Sequence, residues 1–296
     1  MCPVQSRNRC FPPTAASRSV RRSYNRSRSA SRDIPVSDHC RHVNLSVNPE
    51  NPPPMATSIF VLSACSGSKA IEPEVGCEEI DQAGRNHLVD EYPSASIEAQ
   101  SLYTGDEHEL IKSAVEQFQD VASVDWRIVS AGFGLMGPDA VLPSYECTFK
   151  DDKQVRERVE RLGVGPSTLT KKERIRAVAS ELGIPSAIRD WLACEPDVLF
   201  VTLGRDYLIA TDGALLSVPD ETRALAFAPR GTRDLIGACQ WVPSTETERE
   251  ALQTTVTRLK GRQLRNVATS ISSADVLTSI QADKLRERSI RSGLSR

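Results

Sequence analysis

Residues 65–69, Cys-Ser-Gly-Ser-Lys, bring a thiol, two hydroxyls, a flexible backbone and an ammonium together directly after the short apolar run Ile59 to Leu62. A run too short for a helix that stops in small polar residues reads as a buried strand delivering a loop to a pocket. A thiol at such a strand end, beside open N–H groups and a cation, can have its thiolate favoured and act as a nucleophile. Lys69 can hold a phosphate or carboxylate. Cys65 and Lys69 are therefore the candidate catalytic residues, with Ser66 and Ser68 as ligand contacts. The plainer alternatives are a small buried cysteine and a solvated lysine. Gly-x-x-x-x-Gly-Lys-Ser/Thr is absent, so the loop is not of the Walker type.

A second set lies downstream. Gly132, Gly134 and Gly137 match G-x-G-x-x-G after a strand ending at Ser130, but Pro138 and Pro143 bracket the place where a dinucleotide-binding helix would begin. No nicotinamide, flavin or other cofactor is expected; Ser130, Gly132 and Gly134 are read as a loop that approaches a ligand closely. Tyr103 and Tyr145 sit in polar segments, Leu-Tyr-Thr-Gly and Pro-Ser-Tyr-Glu-Cys-Thr, where their rings can stack on a base or form a pocket wall with the hydroxyl tied to backbone. His108 near a helix start is a candidate acid or base. Arg205 and Asp206 open a turn at a strand's carboxyl end, where open α/β sheets bind ligands; pairing with each other is the alternative.

The elements that position these residues alternate. Strands are expected at 59–62, 125–130, 197–203 and, more weakly, 224–228. Helices are expected from 104 or 106 to 118, through 151–193, over 245–271 and over 274–290. In the first helix Leu110, Ile111, Ala114, Val115 and Phe118 make the apolar stripe, with Thr104 or Asp106 as cap. Residues 170–192 superficially resemble a helix-turn-helix, but Arg189 stands where an apolar residue belongs, so a helical hairpin covering the sheet is the better reading. The acidic segment 72–96 reads as a surface excursion or lid. Together these predict a three-layer α/β domain, Rossmann-like, with a mostly parallel sheet and helices on both faces over 55–242, and a C-terminal helical extension over 243–296.

Composition sets the outer limits. A chain of 296 residues, 39% hydrophobic and 26% charged, is long enough for one large core, and nothing in it reads as a membrane span. The net charge of −2 hides an asymmetry: residues 1–54 carry nine Arg against Asp33, Asp38 and Glu50, leaving the remainder acidic. An acidic body disfavours broad nonspecific duplex binding. The Arg/Ser/Pro-rich tail reads as disordered, either an extended start before Met55 or a nucleic-acid arm. The eight cysteines show no C-x-x-C pair, and His39, Cys40 and His42 lack a folded frame, so free thiols in a reducing cytoplasm and no metal are expected.

In order along the chain, Cys65-Ser-Gly-Ser-Lys69, Leu102-Tyr-Thr-Gly105, Ser130-Ala-Gly-Phe-Gly-Leu135 and Pro143-Ser-Tyr-Glu-Cys-Thr148 resemble a prokaryotic domain family of unknown function, distantly related to YaaA-like peroxide-stress proteins. Cys65 and Lys69 are also similar in spacing to the Cys-x-x-x-Lys motif of a domain of archaeosine synthase, although Ala70 and Ile71 replace its Pro-Tyr. The resemblance implies an α/β domain near nucleobase or nucleic-acid chemistry. The expected function is a hydrolase or transferase acting on a modified base or glycosidic bond, with a nucleotide or nucleobase as ligand. The alternatives are a non-catalytic module that binds nucleic acid or a small ligand in a stress or defence response, and an assembly scaffold built on the helices from Thr245.

Overall fold

Each of four apolar runs pairs with the next through backbone bonds, because strands buried on both faces have no other partner for their N–H and C=O groups. The computed structural model describes residues 57–166 and 168–291; the tail 1–54, with its arm reading and His39, Cys40 and His42, lies outside the described residues. Six strands form one sheet: β1 (Ser58–Ala64), β2 (Ser123–Ser130), β3 (Gly134–Met136), β4 (Val198–Val201), β5 (Arg223–Ala228) and β6 (Gln240–Pro243). Their order is β6-β5-β4-β1-β2-β3, with every neighbouring pair parallel except the antiparallel β2 and β3. The fold is therefore α/β with a mostly parallel sheet.

The topology reverses at β1. Ile59 faces Val124 of β2 on one side and Val198 of β4 on the other, so the chain leaves β1 in one direction and later returns to its opposite edge. Asp197 fixes the start of that second pairing by accepting hydrogen bonds from the Ser58 N–H (2.7 Å) and hydroxyl (2.9 Å).

Alternate strand residues feed two apolar clusters, as the two-residue period of a strand requires. Ile59, Val61, Trp126, Ile128, Phe200 and Phe227 join one; Phe60, Leu62, Val129, Leu199, Val201 and Ala226 join the other. The helices include α1 (Cys77–Ala83), α2 (Asp106–Gln119), α3 (Asp152–Leu162), α4 (Lys171–Glu181), α5 (Ile184–Leu192), α6 (Arg205–Ala210), α7 (Leu259–Thr269) and α8 (Ala282–Ile290). The expected stripe Leu110, Ile111, Ala114, Val115 and Phe118 of α2 is buried, and Phe118 stacks on Phe200 at 5.3 Å. The cap of α2 is Gly105 rather than Thr104 or Asp106. A Cβ there would lie 2.1 Å from the Ser66 hydroxyl oxygen, so only glycine lets this helix start against the β1 loop.

Residues 151–193 form three helices. Gly163 and Gly183, at φ +64° and +69°, end one and begin another. Ile175, Val178, Ile184, Ile188 and Trp191 of α4 and α5 are buried in the second cluster, which makes this pair the hairpin covering the sheet. The long helices expected after 245 are broken. Glu246–Ala251 ends near Gln253 at φ +48°, Val256 is exposed rather than part of an apolar stripe, and extended Ile280 separates Asp275–Ser279 from α8. These C-terminal helices bury Leu264, Val267, Leu277 and Leu285 in the first cluster.

The segment 72–96 is structural rather than a lid. It buries Val75, Cys77, Ile80 and Leu88 in the first cluster. Asp81 of α1, its side chain 3% exposed, receives the Arg158 guanidinium of α3 at 2.6 Å and Arg161 at 3.1 Å, and Arg158 also donates to the Ala131 carbonyl. Breaking a buried pair leaves an uncompensated charge. Asp81→Ala is expected to lower stability by about 3–5 kcal/mol in urea unfolding, and Asp81→Ala with Arg158→Met to recover most of that loss; equal losses in the single and double variants would contradict this role.

Candidate functional site

The loop 65–69 leaves β1 where the topology reverses, and backbone bonds fix its course. The Cys65 N–H donates to Val129 O (3.0 Å), the Thr104 N–H to Ser68 O (3.0 Å) and the Ala70 N–H to Leu102 O (2.9 Å), so the loop runs along the Leu-Tyr-Thr-Gly segment. Lys69 and Tyr103 form a bridge there. Two segments distant in the chain are thus joined before any side chain is considered.

A cleft of about 410 Å³ opens at this point, lined by Cys65, Ser66, Gly67, Lys69, Glu146, Cys147, Thr148, Lys150, Asp151 and Tyr207. It draws on the ends of β1 and β4, since Tyr207 lies one residue beyond Arg205 and Asp206 in the helix that follows β4. The half-buried Cys65 Sγ is 3.0 Å from the Tyr207 hydroxyl. Burial above all, and then negative charge on Cys65, raises the Tyr207 pKa well above the usual phenol value. The phenol therefore keeps its proton and can donate it to a thiolate at Cys65. Lys69 Nζ donates to the carbonyls of Ser66 and Gly67, both at 3.3 Å. Burial lowers its pKa, while charge on Cys65 and on Glu146 works the other way.

Tyr103 and Tyr145 lie beneath this floor, 0% and 1% exposed, and offer no ring face to a base. Lys69 Nζ sits 4.8 Å from the centre of the Tyr145 ring and covers it. The hydroxyls are tied to each other at 2.8 Å, and Tyr145 is tied to Ser130 at 2.7 Å. Ser130 Oγ also accepts the N–H groups of Gly132 (3.1 Å) and Phe133 (3.0 Å), which fills both its lone pairs. Its proton must therefore go to Tyr145, and one phenolic proton of the two tyrosines has no acceptor within the trio. Burial first, and charge on Cys65 second, raises the pKa of both phenols. The stacking role expected from their polar neighbours is replaced by a hydroxyl chain under the cleft.

Gly132 is required by this layer, because a Cβ there would sit 2.9 Å from the Tyr145 ring. Gly134 serves the edge instead: at φ +84° it starts β3, and a Cβ would meet Leu182 O at 2.8 Å. The expected glycine loop is thus partly a strand. Ser68 is exposed and lies outside the cleft lining. Arg205 and Asp206 do not pair with each other; Arg205 donates to Gly231 O and Asp206 accepts Lys171 at 2.9 Å.

The free-thiol expectation fails at three of the described cysteines, since Cys194 is disulfide-bonded as well as Cys77 and Cys147. Cys77 and Cys147 form a disulfide with Cα atoms 5.1 Å apart, while Cys65 and Cys239 are free. Its origin is local: a short parallel pairing sets Val75 opposite Tyr145 and Gly76 opposite Glu146, so the next residues on each side are Cys77 and Cys147. Spacing along the sequence carries no sign of that register. Sequence reasoning also misses Tyr207, Glu146 and Thr148; the signal for Tyr207 is its place just beyond a strand's carboxyl end. Among the described residues no group of three or more His, Cys, Asp or Glu is placed to hold a metal ion, and no helix is long and apolar enough to cross a membrane.

His108 is buried behind Tyr103, 5.5 Å between ring centres, rather than exposed at the cleft. Its Nε2–H donates to Gln100 O at 3.3 Å, which leaves buried Nδ1 without a partner. Burial, above the opposing Gln100 bond and with Lys112 adding to it, pushes the His108 pKa down to about 4. The unfolded chain therefore takes up a proton near pH 6.5 that the folded one resists until about pH 4, so this contribution to stability is full above the unfolded value and is lost as pH falls through that window. The loss expected from urea midpoints is about 3 kcal/mol, and His108→Gln, which keeps the donor to Gln100, should flatten it. An unchanged pH slope in the variant would contradict the assignment.

No family model matches the chain, and no curated protein or solved structure is significantly similar to it.

Proposed function

We propose that the cleft holds a nucleotide or nucleobase ligand and that the protein is a hydrolase or transferase acting on a modified base or glycosidic bond. In this reading Lys69 meets the anionic part of the ligand, and Cys65 is the nucleophile. The reading takes the sheet and its helices as a three-layer, Rossmann-like arrangement, in which ligands lie outside the carboxyl ends of the strands where their order reverses. The cleft between β1 and β4 occupies that position, and about 410 Å³ suits a nucleoside-sized ligand.

The observation that carries the proposal is the 3.0 Å contact between Cys65 Sγ and the Tyr207 hydroxyl. The Tyr207 phenol, held protonated by its burial, is placed to donate to the sulfur, and Lys69 supplies positive charge for an incoming anion. In this reading the Cys65 thiolate attacks the glycosidic carbon, the carbon–base bond breaks and the base takes up a proton from solvent, and water or an acceptor hydroxyl then displaces the sulfur, in a cleft walled by Glu146, Thr148 and Asp151. A binding module without turnover would use the same cleft but would have no need of the thiol.

A thermal-shift panel of bases, nucleosides, nucleotides and tRNA on the full chain tests the proposal, since a ligand stabilises by RT ln(1 + [L]/Kd). A nucleotide is expected to raise Tm, and Lys69→Met to weaken its binding by roughly tenfold or more. No shift with any member removes the nucleotide reading. Binding retained in Cys65→Ser with product formation abolished supports the enzyme; binding with no product from either protein leaves the module.

A further inference from the structure

We propose that Cys65 and the Cys77–Cys147 disulfide form a thiol–disulfide exchange set in the wall of the cleft, giving the site a second, covalently capped state. Cys65 and Cys147 line the same cleft, one as a half-buried free thiol and the other as half of a disulfide. Cys65 follows β1 of the main sheet, and Cys147 follows the short strand Tyr145–Glu146, which pairs with Val75–Gly76. Cys65 hydrogen-bonds to Val129 beyond the last β1–β2 register pair, Ala64 with Val129, which sets it alongside Ser130. Cys147 Sγ lies 4.0 Å from the carbonyl oxygen of Ala131, the next residue along that strand's path.

The exchange needs no external oxidant. The Cys65 thiol loses its proton to solvent, the thiolate attacks Cys147 Sγ, the Cys65–Cys147 bond forms and the Cys147–Cys77 bond breaks. The electron pair leaves on Cys77 Sγ, which takes up a proton, so one disulfide is traded for another with no net oxidation. Cys147 is the sulfur attacked because Cys147, 4% exposed, lines the cleft together with Cys65, whereas Cys77 begins α1 and does not line it. The Tyr207 hydroxyl, 3.0 Å from Cys65 Sγ, is placed to donate to the attacking sulfur. Capping removes the cleft's free thiol and releases the covalent tie that binds α1 to the segment carrying Glu146 and Thr148. None of this depends on Cys65 acting on a nucleotide.

Two measurements on the full chain test it. In the first, wild type and Cys65→Ser are incubated at mildly alkaline pH with no added thiol or oxidant, and newly exposed thiols are alkylated and mapped by mass spectrometry. The exchange is expected to expose Cys77 to labelling and to yield a Cys65–Cys147 linked peptide in wild type, with Cys77 labelling reduced by roughly tenfold or more in Cys65→Ser. Equal Cys77 labelling in the two proteins would overturn the proposal. In the second, Cys77→Ser, its fold checked by circular dichroism against wild type, is oxidised mildly with diamide. A Cys65–Cys147 bond is the expected product; Cys147 recovered only as a free thiol, or bonded elsewhere, would overturn it.

Discussion

A buried hydroxyl has to find a partner, and the hydroxyl of Tyr145 holds this site together by finding two. Left unpaired away from water it would cost on the order of 1–3 kcal/mol. Paired with Tyr103 and Ser130 it fixes three segments against one another: the stretch before α2, the end of β2, and the strand piece that carries Glu146 and Cys147. The β1 loop then has one seat available, with Lys69 above the Tyr145 ring and Ser66 against Gly105. Cys65 is carried into the cleft by that seating. The chemistry at the surface is thus positioned by a layer that never meets solvent.

The sheet supplies the second constraint. Because β1 pairs with β2 on one side and β4 on the other, the connections that follow each strand diverge and leave a gap above its end. Tyr207 fills part of that gap from the β4 side and reaches Cys65 from across it. The opposite wall is held by the Cys77–Cys147 bond and the Asp81–Arg158 pair, both of which fasten α1 to the body of the domain. A cleft bounded by one hydrogen-bonded layer, one strand end and one covalently tied wall changes little in shape unless one of those ties is broken.

Much of this was legible in the residues. The apolar runs at Ile59, Ile128, Val198 and Ala224 reveal four of the six main-sheet strands, because burial on both faces leaves no polar position to disguise them. The short motifs around Cys65, Tyr103, Ser130 and Tyr145 mark segments that do meet. What the residues hid was the kind of meeting. Polar neighbours suggested exposed rings for Tyr103 and Tyr145, yet those neighbours are turn and loop residues, and the phenols satisfy each other inward. The β3 and β6 strands are too short to show a period. The Cys77–Cys147 bond follows from a two-residue pairing whose register exists only in three dimensions.

The central claim is that Cys65 reaches solvent through this cleft with Tyr207 bound to its sulfur. The rate of iodoacetamide modification at each cysteine, followed at neutral pH in wild type and Tyr207→Phe, tests it most directly. Cys65 is predicted to react far faster than buried Cys239, and to slow when the Tyr207 hydroxyl is removed, because the thiolate loses its donor. A Cys65 as inert as Cys239, or one whose rate is indifferent to Tyr207→Phe, would contradict the account.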